Sequence, residues 1–255
     1  MRILLVNDDG IDAPGIQALY EVLSKKNNHE IYLAAPAKQQ SGMSQAISVH
    51  HAIRVDEYKA EKFQRAKAAW KIYGTPADCV KLALEVFLCE DLPDLVISGI
   101  NDGSNLGTDV LYSGTVGAAL EGYLHGISSV AVSMDAKSVH SFTEAAMLIA
   151  DKLSEWTGGE AGLYNINFPV QMKDSGDFSW TTLGRRDYHN AFRTISDAEG
   201  QVFYQMGGTI KDELSDPDAD VSVIKKGYIS VTPLQADLTD YSAIDGVLDK
   251  RASIS

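Results

Sequence analysis

Met1-Arg2-Ile3-Leu4-Leu5-Val6-Asn7-Asp8-Asp9-Gly10 is the stretch from which the fold and its chemistry are read. Arg2–Val6 is a short apolar run with β-branched members, so it reads as a buried strand. Two adjacent carboxylates stand where that strand ends. In an open α/β sheet, ligands bind outside the carboxyl ends of the strands. Unit charges about 4 Å apart repel by roughly 4 kcal/mol at an effective dielectric near 20. Something must offset the repulsion between Asp8 and Asp9, and a divalent cation is the simplest candidate. Asp-Asp-Gly also makes an ordinary turn, and the motif by itself leaves both readings open.

Working outward, strand and helix patterns alternate. Gly15–Lys25 places Ile16, Leu19, Tyr20, Val22 and Leu23 at helical spacing behind Pro14. Glu30–Ala35 reads as a strand stopped at Pro36, Lys38–Ser44 as a polar loop, and Ala46–Val55 as extended. Thr75-Pro76-Ala77-Asp78 starts a helix, with Thr as N-cap, Pro at the first position and Asp in the first turn, and the helix runs to about Leu88. Asp94–Ser98 is a core strand without polar alternation, as a parallel strand covered on both faces should be. Gly99–Ser113 reads as a loop, Thr115–His125 as a helix with small Gly117, Ala118 and Ala119, and Ile127–Ser133 as a strand. Phe142–Trp156 follows as a helix and Leu163–Phe168 as a strand. This alternation predicts a doubly wound, mostly parallel α/β sheet.

After residue 170 the pattern changes. Trp180–Leu183, Val202–Met206 and Tyr228–Val231 read as strands with no clear helices between them. Asp212–Asp220 reads as a solvated acidic loop, and Tyr241–Lys250 as one short helix. The expected division is an α/β core over 1–169 and a β-rich extension over 170–255, suited to self-association.

The 255 residues are 45% apolar, enough for a sizeable core, and carry a net charge of −13. That charge argues against a nucleic-acid duplex or an anionic membrane as the main partner. A small anionic substrate stays open, because a local cation reverses the sign of a cleft. Cys79 and Cys89 read as buried, reduced thiols. No signal-like segment opens the chain and no apolar run approaches the roughly 20 residues of a membrane span, so a cytoplasmic protein is expected.

Two further loops should open on the same sheet edge as Asp8 and Asp9. One is Ser98-Gly99-Ile100-Asn101-Asp102-Gly103-Ser104-Asn105; the other is Pro36-Ala37-Lys38-Gln39-Gln40-Ser41-Gly42. The candidate ligands are Asp8, Asp9, Ser41 and Asn101. All four offer oxygen, which suits Mg²⁺ or Mn²⁺ rather than zinc, and so few ligands leave positions for water and substrate. Ser41 and Asn101, each taken alone, are also ordinary loop polarity. Tyr112-Ser113-Gly114-Thr115-Val116 enters a helix whose N-terminus can bind phosphate. A simple N-cap by Ser113 or Thr115 is compatible with that role. The six histidines form no cluster and take no role.

These segments resemble the SurE (survival protein E) family. The matches include Asn7-Asp8-Asp9-Gly10-Ile11, Ser41-Gly42, Gly74-Thr75-Pro76-Ala77-Asp78, Ser98-Gly99-Ile100-Asn101, Tyr112-Ser113-Gly114-Thr115-Val116, Asn165-Ile166-Asn167, Gly184-Arg185-Arg186 and Ser230-Val231-Thr232-Pro233-Leu234. The resemblance implies a Rossmann-like core and a metal-dependent 5′/3′-nucleotidase acting on nucleoside monophosphates. It also implies one divalent metal per subunit on Asp8, Asp9, Ser41 and Asn101, and a homodimer or homotetramer built through the C-terminal part. The expected catalytic residues are Asp8, Asp9 and Asn101. The expected phosphate-binding residues are Ser113, Gly114, Thr115, Ser41 and Gly42. The metal would bind a phosphate oxygen while water attacks; a phosphoaspartate on Asp8 stays open. The competing reading is a non-catalytic metal- or nucleotide-binding module, or a receiver-like signalling domain, which also carries an acidic pair after its first strand.

Overall fold

The computed structural model describes residues 1–26, 28–173 and 176–244. β1 (Arg2–Val6) sends Ile3 and Leu5 into the core on one face and Leu4 and Val6 into the core on the other, all fully buried. That two-sided burial is why the run shows no polar alternation. The chain continues through α1 (Pro14–Leu23), β2 (Glu30–Pro36), β3 (Val55–Glu57), β4 (Ala68–Ile72), α2 (Pro76–Leu82), β5 (Leu95–Asp102), α3 (Gly114–Leu124), β6 (Ser128–Met134), α4 (Phe142–Lys152) and β7 (Leu163–Phe168). It ends with β8 (Phe178–Trp180), β9 (Arg186–His189), β10 (Phe192–Ser196), β11 (Val202–Met206), β12 (Thr209–Asp212), α5 (Asp220–Lys225) and β13 (Ile229–Leu234).

Nine strands form the main sheet in the order β3-β4-β2-β1-β5-β6-β7-β13-β8. From β4 to β7 all neighbours are parallel. The chain winds one way from β1 to β2 and the other way from β5 onward, so β1 and β5 flank the switch point where a doubly wound sheet opens its ligand crevice. α1 and α4 cover one face through Ile16, Leu19, Leu23, Ala145 and Ile149. α2 and α3 cover the other through Val80, Ala83 and Ala118. The doubly wound, mostly parallel sheet is the fold expected.

Local signals explain the boundaries. Thr75 caps α2 in a full capping box with Asp78, and Pro76 takes the first position. A π-helical turn, Ala83–Phe87, carries that helix to the expected end. β5 runs past Ser98 to Asp102, where a loop was expected. A register shift between Ser98 and Asn101 lets the strand absorb Gly99 and Ile100 and pair Asn101 with Ser133. Gly15 brings the start of α1 against β5; a Cβ there would lie 1.9 Å from the Ile100 carbonyl oxygen.

The sheet does not stop at residue 169. β13 pairs antiparallel with β7, and β8 lies parallel to β13 at the edge. α5 is a helix that the apolar pattern of this region does not announce. The expected strand at Trp180–Leu183 begins and ends earlier, as β8. Residues 245–250 of the helix expected at Tyr241–Lys250 lie outside the described residues. Cys79 is buried as expected, but Cys89 is exposed beyond the π-helical turn, where the expected face no longer points inward.

β9 to β12 form one long ribbon. β9 pairs with β12 from Arg186↔Asp212 to His189↔Thr209, and β10 with β11 from Phe192↔Met206 to Ser196↔Val202, so the register runs straight through. Between the halves Gly207 N–H donates to the Ala191 carbonyl at 2.8 Å. Asn190 (φ 52°) and Gly208 (φ 106°) take left-handed conformations at this joint.

Candidate active site

Asn7 shapes the turn after β1. Its amide nitrogen donates to the Gly10 carbonyl (2.9 Å), and Gly10 N–H donates back to Asn7 Oδ1 (3.1 Å). Gly10 sits at φ 101°, which favours glycine. Ile11 N–H donates to the Pro36 carbonyl and Gln40 N–H to the Asp8 carbonyl, tying this turn to the exit of β2.

Asp8 is 5% exposed. Its Oδ1 accepts from Thr115 Oγ1 at 2.6 Å. Burial pushes its carboxyl up to about 6; the Thr115 bond opposes that shift and the Asp9 charge adds to it. Asp9 is half-buried and accepts from Asp102 N–H and Gln39 Nε2, both at 3.3 Å. Burial also raises its pKa, helped by the Asp102 charge against the Asp102 N–H bond. The charges that act on both groups are negative. Two desolvated carboxylates without a cationic partner among the described residues fit a bound cation.

The donor set says which kind. Asn101 Nδ2 donates to the Gly103 carbonyl at 2.7 Å, which orients the amide and leaves its oxygen available. Asp8, Asn101 and Ser41 line one cleft of about 530 Å³, with Asp9 beside it on the same turn. Among the described residues no group of three His, Cys, Asp or Glu could hold a metal. A cation here therefore depends on two carboxylates, an amide, a hydroxyl and water, which suits a hard, hydrated ion.

The loop that carries Ser41 is held from several sides. Ser44 Oγ donates to the Leu111 carbonyl (2.7 Å), and Thr75 Oγ1 to the Ala46 carbonyl (2.6 Å). Asp78 accepts from Ser48 N–H (2.8 Å) and Ser48 Oγ (2.7 Å) besides capping α2. Gly117 makes room for this loop: a Cβ would lie 2.1 Å from the Ser44 carbonyl oxygen. Gly42 has φ 72° and nothing within 4 Å of a Cβ position, so its backbone conformation is what favours glycine there.

α3 starts directly over Asp8. A Cβ on Gly114 would lie 3.0 Å from Asp8 Oδ2, so glycine permits that approach. Ser113 caps the helix, accepting from Val116 N–H at 3.1 Å, and lines the cleft with its hydroxyl proton uncommitted. Thr115 corrects the sequence reading. It is fully buried with its hydroxyl on Asp8, so its side chain orients a carboxylate and does not reach a phosphate.

Residues that the sequence reading passed over complete the cleft. Asn105 is fixed by Asn165 and Asn167, whose amides both donate to its carbonyl (2.8 and 3.0 Å). Two buried asparagines in an otherwise apolar strand were the available signal. Tyr188, Ala191 and Met206 bring the ribbon to the cleft's far wall. The acidic loop is solvated as expected at Glu213, Asp216 and Asp218, but not at its two ends: Asp212 is ion-paired with Arg186 and Lys225, and Asp220 is fully buried.

Residues 3–190 match the family model described as Survival protein SurE. The 5′-nucleotidase SurE of Pelotomaculum thermopropionicum is 46% identical over 249 residues, covering 96% of this chain and 93% of that protein. That of Desulforudis audaxviator is 45% identical over 255 residues, covering 97% and 96%. The crystal structure of the SurE protein from Aquifex aeolicus matches with a TM-score of 0.77 at 34% identity, over 97% of this chain and 98% of that one.

Proposed function

Because the chain belongs to the SurE family, we propose that Asp8, Asp9, Ser41 and Asn101 hold one divalent cation, Mg²⁺ or Mn²⁺, at the centre of a 5′-nucleotidase site. The protein hydrolyses nucleoside monophosphates as a phosphomonoesterase, releasing inorganic phosphate, and members of the family depend on a metal for it. The observation that carries the residue assignment is the pair of desolvated carboxylates, without a cation, beneath the start of α3. The nine-stranded sheet and its open cleft leave no reason to favour a receiver-like module.

When bound, the cation supplies positive charge against the phosphate. The chain's own residues do the rest. Thr115 holds Asp8 by Oδ1 and leaves Oδ2 toward the cleft. Ser113 Oγ–H and the Gly114 N–H at the start of α3 receive the phosphate oxygens, with the helix dipole favouring the anion. Water is the attacking group. The Asp8 carboxylate serves the cation, which favours water over Asp8 as the attacking group.

Phosphate release from AMP is expected to stop in EDTA and to return with added Mn²⁺ or Mg²⁺. Full turnover in the chelator would sink the assignment.

The assembly follows from the ribbon. Phe192, Ile195, Val202, Phe203, Tyr204 and Met206 are all exposed on β10 and β11. An isolated two-stranded hairpin with such a surface is marginal in water. A second copy of the chain covers it, giving a homodimer or homotetramer, so within residues 170–255 the ribbon serves that assembly while β8 and β13 belong to the core sheet. Light scattering at micromolar concentration should return a dimer or a tetramer; a monomer would refute this. No helix among the described residues is long and apolar enough to cross a membrane.

A further inference from the structure

The cleft has two chemically different sides. Asp8, Asn101 and Ser113 offer charge and hydrogen bonds on the side of the sheet edge, while Tyr188 and Met206, from the ribbon, offer a ring and aliphatic surface. A volume of about 530 Å³ suits a ligand with a phosphate at one end and a planar ring at the other.

Resting on the nucleotidase reading above, the geometry points to Tyr188 as the residue that selects the organic half of the substrate by stacking on the nucleobase, with Asp109 as the positioning residue that fixes its ring. Tyr188 is half-exposed toward the cleft, and its hydroxyl donates to Asp109 Oδ2 at 2.7 Å. Arg186 Nη1 donates to that same oxygen at 3.0 Å. Arg186 is held in turn, its Nε donating to Asp212 Oδ1 at 2.8 Å, and Lys225 lies 2.9 Å from Asp212 Oδ2. The side chains of Arg186 and Asp212 are 9% and 7% exposed, so this chain of charges is shielded from solvent. Asp109 belongs to the 3-10 turn Gly107–Leu111, which leads directly into Tyr112 and Ser113. One turn thus holds Tyr188 through Asp109 and leads into Ser113.

An aromatic ring pinned at its hydroxyl has lost its freedom before the ligand arrives, so stacking on it loses less entropy. Burial and the Asp109 carboxylate push the Tyr188 phenol up to about 12, so it stays a hydrogen-bond donor throughout the working pH range.

The test compares AMP with glycerol 2-phosphate, which carries the phosphate but no ring. Tyr188→Ala should raise KM for AMP about tenfold, the size of one base–aromatic stack, with kcat held within about twofold. Turnover of glycerol 2-phosphate should be unchanged. Tyr188→Phe keeps the ring but frees it, and should raise KM for AMP by less. Asp109→Asn should do the same, and the double variant should be no worse than either single one. Equal losses on both substrates would make Tyr188 merely structural and overturn the proposal, as would an unchanged KM for AMP.

A second arm is independent of turnover. Calorimetry should show adenosine, which has a ring and no phosphate, binding the wild type and binding Tyr188→Ala about tenfold more weakly. Equal binding overturns the proposal. A wild type that binds adenosine yet hydrolyses neither phosphomonoester would instead overturn the nucleotidase reading alone.

Discussion

Asp8→Asn is expected to lose about a thousandfold in kcat/KM, the equivalent of about 4 kcal/mol of transition-state stabilisation, while making the metal-free protein more stable. The two effects have one cause. Asp8 is nearly fully buried, with a carboxyl at about 6. Its pKa is raised on folding, so the folded state favours the protonated form. The penalty for ionisation is fully present above pH 6 and disappears below about pH 4. Two pKa units correspond to roughly 3 kcal/mol, an upper bound on what neutralising this carboxylate returns at pH 7. The amide oxygen still accepts from Thr115, so no hydrogen bond need be lost. In chelator, the stability gap between Asp8→Asn and wild type should close as pH falls from 6 to 4, the other carboxylates being common to both proteins. Denaturant unfolding in EDTA at three pH values checks the sign, and phosphate release checks the activity. An active Asp8→Asn variant, or one less stable than wild type in chelator at pH 7, would contradict this account. Asp9→Asn should lose activity likewise, with a smaller gain in stability because Asp9 is only half-buried.

Asp220→Asn is expected to destabilise the protein by about 2–4 kcal/mol, and Asp220→Ala by about 3–5 kcal/mol. Asp220 is fully buried and accepts three backbone N–H groups: Gly107 on Oδ2 at 2.8 Å, and Gly184 and Val221 on Oδ1 at 2.9 and 2.7 Å. An amide has one acceptor oxygen, so its NH₂ end must face a donor; alanine leaves all three without a partner. At about 2–4 °C per kcal/mol for a chain of this size, the melting temperature should fall by roughly 5–15 °C. The same carboxylate joins α5, the 3-10 turn at Gly107–Leu111 and the approach to the ribbon, so activity should fall too. A melting temperature within a degree of wild type would show these N–H groups finding other partners.

What was legible in the sequence was local. Apolar runs and capping residues announce β1, α1, β2, α2, α3, β6 and β7 because each pattern closes within one element. The acidic pair, Asn101 and Ser113 stood out because parallel topology alone sends strand ends to one edge. β4 was not announced: Ala68-Ala69-Trp70-Lys71-Ile72 is short, and its pairing with β2 is nonlocal. Tyr188 and Asp109 were invisible for a related reason, and Arg186 stood out only as part of a matched segment, without a role. Tyr188 and Arg186 meet Asp109 from 79 and 77 residues away, and no local pattern says so. Asp212 and Asp220 misled because a run of acids looks solvated until its partners are known. Thr115 read as a phosphate donor because sequence cannot say which acceptor a hydroxyl will find.

The central place of β1 in the sheet also sets a chronology for the nascent chain. The acidic pair is made before every group that positions it, so it is completed late. β1 stays open on one side until β5 exists to pair with it. Asp8 then waits for Thr115, 107 residues downstream. The cleft's far wall comes later still, with the ribbon at 186–212. At about 5–20 residues per second, the two carboxylates emerge several seconds before the hydroxyl that orients Asp8. Throughout that interval they belong to a chain that can neither hold them in place nor use them, so the site is finished only once the ribbon has been made.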